Sequence, residues 1–229
     1  MKKANITIIA SPEKNKLGTV KNICVSSDKS IEYGYIKPFE TKDKPTVLDA
    51  IITVHEEMYR DFKANPKKYF DVAETEFISK IFGIETFFAG FRVNNELPWD
   101  ENDNGLTANK VVLKDNDVLN LFIVRDEKYN DLFLNFEESD NEFYKNEYFK
   151  IRLLGERHLY SGTGKTGQKN FTVSLIKDRE IINNYITDDN GHVNIKIENC
   201  GEYILTVTEG PDYFIAPYKK IIIKEKPQI

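Results

Sequence analysis

An acidic loop at residues 100–105 carries the side-chain types that bind calcium in an EF-hand. Oxygen-bearing side chains stand at loop positions 1, 3 and 5, on Asp100, Asn102 and Asn104, and Gly105 occupies position 6. The bidentate Glu that completes the coordination at position 12 is replaced by Val111. The pattern therefore favours a solvated turn over a bound Ca²⁺ ion, and no metal or cofactor is predicted for the chain.

Residues 161–167 include the run Gly164-Lys165-Thr166, which ends like a phosphate-binding loop. Such a loop needs another Gly five residues before Gly164, where this chain has Leu159. It also needs a helix to follow, whereas the next predicted element is a strand that starts at Phe171. We therefore predict a flexible loop between strands.

The histidines and cysteines do not have the spacing of a zinc site. Neither Cys24 nor Cys200 has a second Cys or a His within a few residues, and zinc needs three or four ligands at close spacing. His55 lies on an apolar face and is predicted to be a satisfied core residue, and His192 is predicted to be exposed. The chain has only these two cysteines, far apart in the sequence, which favours two buried thiols over a disulfide.

No arrangement of residues indicates nucleophilic or acid–base catalysis. The chain has no G-x-S-x-G nucleophile elbow. Its adjacent acid pairs, Glu56-Glu57 and Glu137-Glu138, point apart on a helix or strand, whereas a glycosidase needs two facing carboxylates. We predict no catalytic residues and a protein that is not an enzyme.

Aromatic residues near the single Trp are the predicted ligand-binding feature. Phe91 and Trp99 flank a predicted turn at Asn94-Asn95, and Tyr33 and Tyr35 are expected on a neighbouring strand. Trp and Tyr at a surface are good anchors for a ligand. The alternative, that these rings pack in the core, is favoured because aromatic side chains are usually buried.

Charge and hydropathy exclude two classes of partner. The 229 residues include 32 basic and 37 acidic side chains, interspersed along the chain, with a net charge of −5. A nucleic-acid binder is expected to carry a basic stripe. No apolar run reaches the ~18 residues of a membrane-spanning helix, and the apolar run at residues 6–10 is too short for a signal peptide. The chain is therefore either cytosolic or a mature or excised piece of a larger protein.

The first half alternates strands with one strong helix. Strands are predicted at residues 5–10 and 19–26, with a further β-prone stretch at 31–39. From Leu48 to Phe62, apolar residues recur at helical spacing, after a capping box formed by Thr46 and Asp49. A shorter helix is predicted at residues 73–82, ended by Gly83. Two further strands, at residues 87–94 and 118–124, complete an α+β, β-grasp-like pattern.

The second half is predicted to be all β. Five short strands are expected, separated by turns at roughly 8–12-residue spacing, which is typical of a β-sandwich. They lie at residues 149–154, 171–176, 193–197, 203–207 and 220–224. We place the domain boundary in a charged, Asn-rich stretch, so that the domains are residues 1–138 and 139–229, with the segment at 132–136 a possible strand of the first domain.

Three segments of the first half carry a family resemblance. They are Val47-Leu48-Asp49-Ala50-Ile51, Gly90-Phe91-Arg92-Val93-Asn94-Asn95 and Leu113-Lys114-Asp115-Asn116-Asp117-Val118. Together they resemble the transcobalamin C-terminal-like domain, which has a helix start "V-L-D-A-L" followed by "V-N-G" and "D-G-D" turns. This sequence has Asn95 and Asn116 in place of the usual Gly, and Asn is the next-best residue for a positive φ.

The second half resembles bacterial immunoglobulin-like or collagen-adhesin B-type repeats. The resemblance rests on residues 187–193 and on residues 201–209, which begin Gly201-Glu202-Tyr203. Some members of that family form Lys–Asn isopeptide bonds assisted by a buried acid. This chain has Leu205 and Val207 where the acid is usual, with Glu209 as the nearest acid, so no isopeptide bond is predicted.

Both resemblances imply a module of a secreted or cell-surface bacterial protein, and a Gram-positive source. The implied function is adhesion or ligand binding by an α+β, β-grasp-like first domain, with an all-β immunoglobulin-like second domain as a spacer. The partner would be an extracellular protein, a glycan or a small molecule. The alternative is a small-molecule carrier of the cobalamin-binding type.

Overall fold

The computed structural model describes residues 2–13, 15–73, 76–86, 89–102, 105–125, 131–157 and 164–227. The chain divides into two compact units. The first comprises Met1–Pro12 and Gly18–Val124, and the second comprises Glu13–Leu17 and Arg125–Ile229. The chain is mostly β-sheet. The division falls after Val124, whereas the sequence placed the boundary after residue 138.

The first unit combines a mixed sheet with one substantial helix. Its elements in chain order are β1 (Lys3–Ser11), β2 (Thr19–Ser26), α1 (Lys29–Glu32), a 3-10 turn (Phe39–Thr41), α2 (Val47–Met58), α3 (Pro66–Tyr69), β3 (Asp71–Val72), β4 (Ile78–Ile81), β5 (Ile84–Glu85), β6 (Ala89–Val93) and β7 (Val118–Ile123).

The main sheet of this unit has the strand order β2-β1-β7-β6. Its central pair, β1 and β7, is parallel, whereas β2 and β6 pair antiparallel with their neighbours. Alternate residues of the strands point to one face, where Ile8 and Leu121 are fully buried. Ile51 and Val54 of α2 belong to the same core. Strands β3, β4 and β5 form a separate, small sheet in that order.

Helix α2 begins where the capping box predicted it. The Thr46 side chain accepts the Asp49 N–H, and the Asp49 carboxylate accepts the Thr46 N–H. These two bonds satisfy donors that the first helical turn leaves without partners. The helix ends at Met58, and residues 59–62 complete the predicted apolar series outside the helix.

Three local predictions for this unit were wrong. The helix predicted at residues 73–82 is not formed at Ile78–Ile81, because this segment is a strand that pairs antiparallel with Asp71–Val72. Gly83 does not end a helix, because it lies between strands β4 and β5, in a turn where Phe82 and Gly83 both have positive φ. The β-prone stretch at residues 31–39 is also not a strand: its start belongs to the short helix Lys29–Glu32.

The predicted turn at Asn94-Asn95 is confirmed by its backbone. Both residues have positive φ, 53° and 64°. Val93 and Glu96 exchange two backbone hydrogen bonds of 3.0 Å around them. Two successive positive φ values define the tight hairpin turn that matches the twist of the flanking strands.

We expect Asn95→Ala to lower the free energy of unfolding by about 1 kcal/mol, because Ala meets the left-handed conformation with a steric penalty. Asn95→Gly is expected to leave stability within about 0.5 kcal/mol of the wild type, because Gly adopts positive φ freely. Urea denaturation of the two variants measures the difference. Equal stabilities for Ala and Gly at this position would contradict the turn assignment.

The second unit is built from two sheets. Its strands are β8 (Leu132–Phe136), β9 (Glu142–Tyr144), β10 (Tyr148–Arg157), β11 (Thr166–Gly167), β12 (Thr172–Lys177), β13 (Glu180–Ile186), β14 (His192–Lys196), β15 (Gly201–Glu209), β16 (Phe214–Ile215) and β17 (Lys219–Lys224). One sheet has the order β11-β10-β8-β16, with β14 also on β10, and the other has the order β13-β12-β15-β17-β9.

The two sheets enclose one hydrophobic core. Leu153 of β10 and Ile195 of β14 meet Val173 of β12 and Leu205 of β15 in a single buried cluster. All five predicted strands of this half are present, with ends that differ by a few residues. The segment Leu132–Phe136 is a strand, but it pairs with β10 and therefore belongs to this unit, not to the first.

Candidate functional site

A cavity of about 300 Å³ in the first unit is the candidate functional site. We call it the Tyr35 cavity. Its apolar wall is formed by Tyr35, Ile36, Leu48, Val72 and Ile78. These residues come from the segment after α1, from the first turn of α2 and from the β3–β4 hairpin. The cavity thus depends on the fold to bring distant segments together.

Two polar side chains also line the cavity. They belong to Glu76 and Asn109, and the Asn109 amide donates to the Glu76 carboxylate over 3.3 Å. Lys110 forms an ion pair of 3.1 Å with the same carboxylate, and the Thr107 hydroxyl donates to it. The hydrogen bond from Lys110 lowers the pKa of Glu76, with Asn109 contributing in the same direction. Glu76 is therefore a carboxylate at neutral pH.

Large apolar side chains are exposed along the chain segments that form the cavity. Ile36, which lines the cavity, is 82% exposed, and Phe77, between the lining residues Glu76 and Ile78, is 57% exposed. Phe39 is 89% exposed and lies three residues after Ile36. Where exposed apolar side chains form a contiguous patch, they mark interaction sites in soluble proteins. We call Ile36, Phe39 and Phe77 the apolar rim.

Tyr35 is held in place by an aromatic contact. Its ring meets Phe70 edge-on, with ring centroids 5.6 Å apart. Burial raises the pKa of Tyr35 to about 12. The phenol is therefore neutral at pH 7 and keeps its O–H donor.

A buried ion pair anchors the chain just after Tyr35 and Ile36. The Lys37 ammonium lies 2.7 Å from an Asp49 carboxylate oxygen, and the two side chains are 1% and 0% exposed. Lys37 also donates to the backbone carbonyls of Ser27, at 2.8 Å, and Lys44, at 2.6 Å. All three ammonium donors therefore have acceptors, as a buried charge requires.

Asp49 is equally well satisfied. One carboxylate oxygen accepts the N–H and hydroxyl of Ser30, at 2.8 and 2.7 Å. The other accepts the N–H and hydroxyl of Thr46, at 2.8 and 2.7 Å, in addition to Lys37. This single side chain therefore joins the start of α2 to the segment that forms one wall of the Tyr35 cavity.

His55 is a core residue, as predicted from its position on the apolar face. It is 0% exposed and stacks on Phe82 with ring centroids 5.1 Å apart. Its Nδ1 lies 2.7 Å from the Ile51 carbonyl oxygen, and its Nε2 accepts the Phe82 N–H at 3.0 Å. Burial lowers the pKa of His55 to about 4. Both ring nitrogens are thus engaged, and the ring is neutral at pH 7.

The predicted aromatic binding residues are placed in different surroundings. Tyr35 lines the cavity, whereas Tyr33 packs against Phe62 and donates its hydroxyl to Glu56 at 2.7 Å. Phe91 is half-buried and packs against the core of the first unit. Trp99 is half-buried beside Gly105 and is not among the residues that line the Tyr35 cavity.

Asn94 and Asn95, also predicted at the binding site, have structural contacts. The Asn94 side chain accepts the Val118 N–H and donates to Asp117, both at 2.8 Å. The Asn95 carbonyl accepts a hydrogen bond from the Arg92 guanidinium at 3.3 Å. Ligand binding near Trp99 and this turn stays a prediction.

The Tyr35 cavity was not predicted from the sequence, because Tyr35 is the only one of its lining residues that the sequence pattern had singled out.

The loop considered for calcium forms a local turn. The Asp100 carboxylate accepts the Asn102 N–H at 2.8 Å, and Asn104 lies outside the described residues. Within the described ranges, no three His, Cys, Asp or Glu side chains lie close enough together to hold a metal ion.

The loop considered for phosphate is described only in part. Residues 161–163 lie outside the described residues, and Thr166–Gly167 pairs with β10.

The prediction of two buried thiols was wrong. Cys24 and Cys200 are both free and both exposed. Cys24 lies on β2, an edge strand, on the sheet face opposite the buried Ile23 and Val25.

His192 was predicted to be exposed but is half-buried, with its Nδ1 3.6 Å from Asp188.

Leu205 and Val207 stand where the second family has a buried acid, and both are fully buried in the core. The nearest acid, Glu209, accepts a hydrogen bond from the Thr172 hydroxyl at 3.3 Å.

Among the helices that the structure describes, none has the length and apolar character needed to span a bilayer.

Comparisons with known proteins give little guidance. No family model matches the chain, and no curated protein matches it. Among solved structures, the chain is similar to the D00-D0 domain of intimin, at 15% identity over 56% of this chain and 61% of that one, with a TM-score of 0.24. It is also similar to the N-terminal four Ig domains of Dscam1 isoform 8.4, at 12% identity over 62% of this chain and 39% of that one, with a TM-score of 0.24.

In both cases the chain spans less than two thirds of the other structure. TM-scores this low do not support an inference about fold or function.

Proposed function

We propose that the chain is a non-enzymatic binding module, in which the Tyr35 cavity receives an apolar side chain of a protein partner. The observation that carries this proposal is the combination of an apolar cavity with a highly exposed apolar rim. Interfaces between proteins gain most of their affinity from a few large side chains that fill well-packed pockets. A cavity of about 300 Å³ has room for such a side chain.

The polar residues of the cavity lining add selectivity to this proposal. Asn109 is 6% exposed, and its amide donates to the Ile36 carbonyl and to the Glu76 carboxylate, both at 3.3 Å. The backbone carbonyl of a partner that enters beside Asn109 would compete with these two acceptors. The ion pair between Glu76 and Lys110 offers one acceptor and one donor at the surface. The expected ligand is therefore a peptide segment with one Leu, Ile, Met or Phe anchor and free backbone groups beside it.

The proposed fold classes agree with this role. The order β2-β1-β7-β6, with a parallel central pair and α2 on one face, supports a β-grasp-like first domain. Two antiparallel-rich sheets around one core support an immunoglobulin-like second domain that serves as a spacer. The transcobalamin-like and adhesin-like resemblances remain hypotheses about ancestry.

The state of the titratable groups supports a non-enzymatic role. Glu76 is held ionised by Lys110, which makes it a poor proton donor at neutral pH. His55 is neutral, but both of its nitrogens are already hydrogen-bonded in the core. These groups are arranged for structure and recognition.

Filling the cavity mouth tests the proposal. Ala73 is exposed and lines the cavity, whereas Ala64 is exposed and lies outside it. We expect Ala73→Phe to weaken binding of peptides selected from a random phage-displayed library by about tenfold or more, since a lost anchor costs more than ~1 kcal/mol. Ala64→Phe is the matched control and is expected to bind like the wild type.

Isothermal titration calorimetry with the selected peptides gives the affinities. Selected peptides that share no apolar anchor, or that bind Ala73→Phe as tightly as the wild type, would refute the assignment of the cavity. Thermal denaturation of both variants checks that each retains the fold.

The proposed location is the surface of a bacterial cell, and a Gram-positive species is expected. This part of the proposal depends on the two resemblances in the sequence. Expression of the full gene product in its own host, followed by cell fractionation and immunoblotting, tests it directly. Detection in the cytosol alone would contradict a secreted or surface role.

The cobalamin-carrier hypothesis is tested separately. The Tyr35 cavity is too small for a corrin ring, so a carrier would have to bind the ring on an open surface such as that near Trp99. Titration of the chain with cyanocobalamin, followed by visible absorbance and Trp fluorescence, decides the question. Unchanged spectra at high micromolar cobalamin would eliminate this alternative.

A further inference from the structure

The two groups that contact the His55 ring nitrogens fix the ring as one neutral tautomer. Nδ1 lies 2.7 Å from the Ile51 carbonyl oxygen, which can only accept, so this nitrogen carries the hydrogen. Nε2 lies 3.0 Å from the Phe82 backbone nitrogen, whose N–H can only donate, so this nitrogen offers its lone pair. A proton on Nε2 would set two donors against each other. His55 therefore cannot take up a proton while its hydrogen bond with Phe82 is intact.

Phe82 has a backbone conformation that a bulky side chain rarely adopts. Its φ is 55°, in the left-handed region. Such a conformation persists only where its surroundings hold it. Three contacts hold this turn: the hydrogen bond to His55, the stacking of the two rings at 5.1 Å, and a bond of 2.8 Å from the Gly83 N–H to the Tyr69 carbonyl. Loss of the bond to His55 therefore allows the turn to relax.

Among the described residues, the groups packed on the His55 ring are aromatic and uncharged. They lie with ring centroids 5.1–5.8 Å from its own and are Tyr59, Phe62, Phe70 and Phe82. Tyr59 is the titratable one, and burial raises its pKa, so it is neutral in acid. Burial lowers the pKa of His55, with no contribution from a charged neighbour. Since a buried charge without a partner is costly, acid favours an arrangement that exposes the ring.

The His55 ring and the turn at Phe82 are both connected to the wall of the Tyr35 cavity. Phe82 directly follows β4, whose first residue, Ile78, lines the cavity. The Phe70 ring lies 5.6 Å from the His55 ring and 5.6 Å from the Tyr35 ring, measured between centroids. A change at His55 therefore reaches two residues of the cavity wall, one through β4 and the other through Phe70.

We propose that protonation of His55 releases the turn at Phe82 and opens the Tyr35 cavity, so that a bound peptide is released in acid. Peptide release rests on the proposed function of the cavity, whereas opening of the turn does not. In a form that exposes His55 the ring has its ordinary pKa of 6.5, whereas in the closed form burial lowers this pKa to about 4. Between pH 7 and pH 4.5, this difference raises the ratio of open to closed molecules about 60-fold.

Amide hydrogen exchange measured by NMR tests the opening without any ligand. After correction for intrinsic exchange rates, the opening constant of the Phe82 amide is expected to rise roughly 60-fold from pH 7 to pH 4.5. In His55→Gln it is expected to change less than about twofold. The Leu121 amide, on the central strand β7, is the internal control for unfolding of the whole unit. Equal protection of Phe82 and Leu121 at both pH values would overturn the proposal, because His55 would then be exposed only by global unfolding.

Direct NMR titration of the His55 ring in the wild-type chain makes the test independent of whether His55→Gln folds. His55 is expected to take up its proton over the same pH range in which the Phe82 amide loses protection. A ring that is protonated while the Phe82 amide keeps its full protection would contradict the proposal.

Peptide affinity tests the coupling to the cavity. A selected peptide with blocked termini and no ionisable side chain is titrated by calorimetry at pH 7 and at pH 4.5, where the lowered pKa of Glu76 keeps most of its carboxylate ionised. The wild type is expected to bind about threefold or more weakly at pH 4.5, and His55→Gln equally at both. Equal wild-type affinities would refute opening of the cavity. A chain that binds no peptide at pH 7 but loses Phe82 protection in acid would support the opening and contradict the proposed function.

Discussion

Replacement of Asp49 by Ala is expected to lower the free energy of unfolding by about 3–5 kcal/mol, the cost of breaking a buried ion pair by removing one partner. The substitution leaves the Lys37 ammonium buried, with only the carbonyls of Ser27 and Lys44 as acceptors. It also removes the acceptor for the N–H and hydroxyl groups of Ser30 and Thr46. Each buried donor left without a partner adds a desolvation cost.

The converse substitution, Lys37→Met, is expected to cost less, about 1–3 kcal/mol. Asp49 would keep four hydrogen bonds, from the N–H and hydroxyl groups of Ser30 and Thr46. Those donors continue to stabilise the carboxylate in the absence of the ammonium. The Met side chain also retains most of the apolar volume of the Lys stem.

Urea denaturation of the two single variants and of the double variant measures these terms. The double variant is expected to lose less than the sum of the single losses, because the two side chains interact directly. Glu57→Ala is the control: it removes the ion pair with Lys21, whose partners are 31% and 41% exposed, and is expected to cost no more than about 1 kcal/mol. A Lys37→Met variant less stable than Asp49→Ala would refute the assignment of Asp49 as the centre of the network.

The role of Asp49 also shows how far the sequence could predict this structure. The capping box of Thr46 and Asp49 follows from local spacing, because both groups belong to the same helical turn. The pairing with Lys37 does not, since nothing in the sequence separates this Lys from the many at the surface. The ion pair exists because the segment after α1 folds back on the start of α2, which is a tertiary event.

Errors elsewhere have physical causes of the same kind. Ile78 and Ile81 are three residues apart, which matches a helix, but both are buried in a strand that the β3 hairpin imposes. Strand β13 was missed because its side chains are exposed on both faces, so it lacks the apolar–polar alternation of a half-buried strand. The turns at Asn94-Asn95 and Asn116 were predictable because positive φ limits the residue types directly.

The candidate site was the least predictable part. The Tyr35 cavity is lined by residues that lie up to 75 positions apart, from Gly34 to Asn109, and most of them are ordinary apolar side chains. The sequence drew attention to aromatic residues, and of those only Tyr35 lines the cavity. A concave site assembled from several segments leaves no local pattern.

The stability of the first unit is expected to fall by about 3 kcal/mol between pH 6.5 and pH 4 through His55 alone. In the unfolded chain His55 takes up a proton near its ordinary pKa of 6.5. In the folded chain burial lowers its pKa to about 4, so the ring stays neutral until that pH. The unfolded state therefore binds more protons across this interval. The contribution of the neutral ring to stability is complete above pH 6.5 and is lost as the pH falls to 4.

His55→Gln isolates this effect, because Gln can donate to the Ile51 carbonyl and accept the Phe82 N–H but does not titrate. Urea denaturation at pH 7, 5.5 and 4 is expected to show a smaller loss of stability on acidification for this variant than for the wild type. The difference between them cancels the carboxylates that titrate in both. His192→Gln, at a half-buried position in the second unit, is the control and is expected to follow the wild type. An equal loss in the wild type and in His55→Gln would show that His55 takes up its proton as readily folded as unfolded.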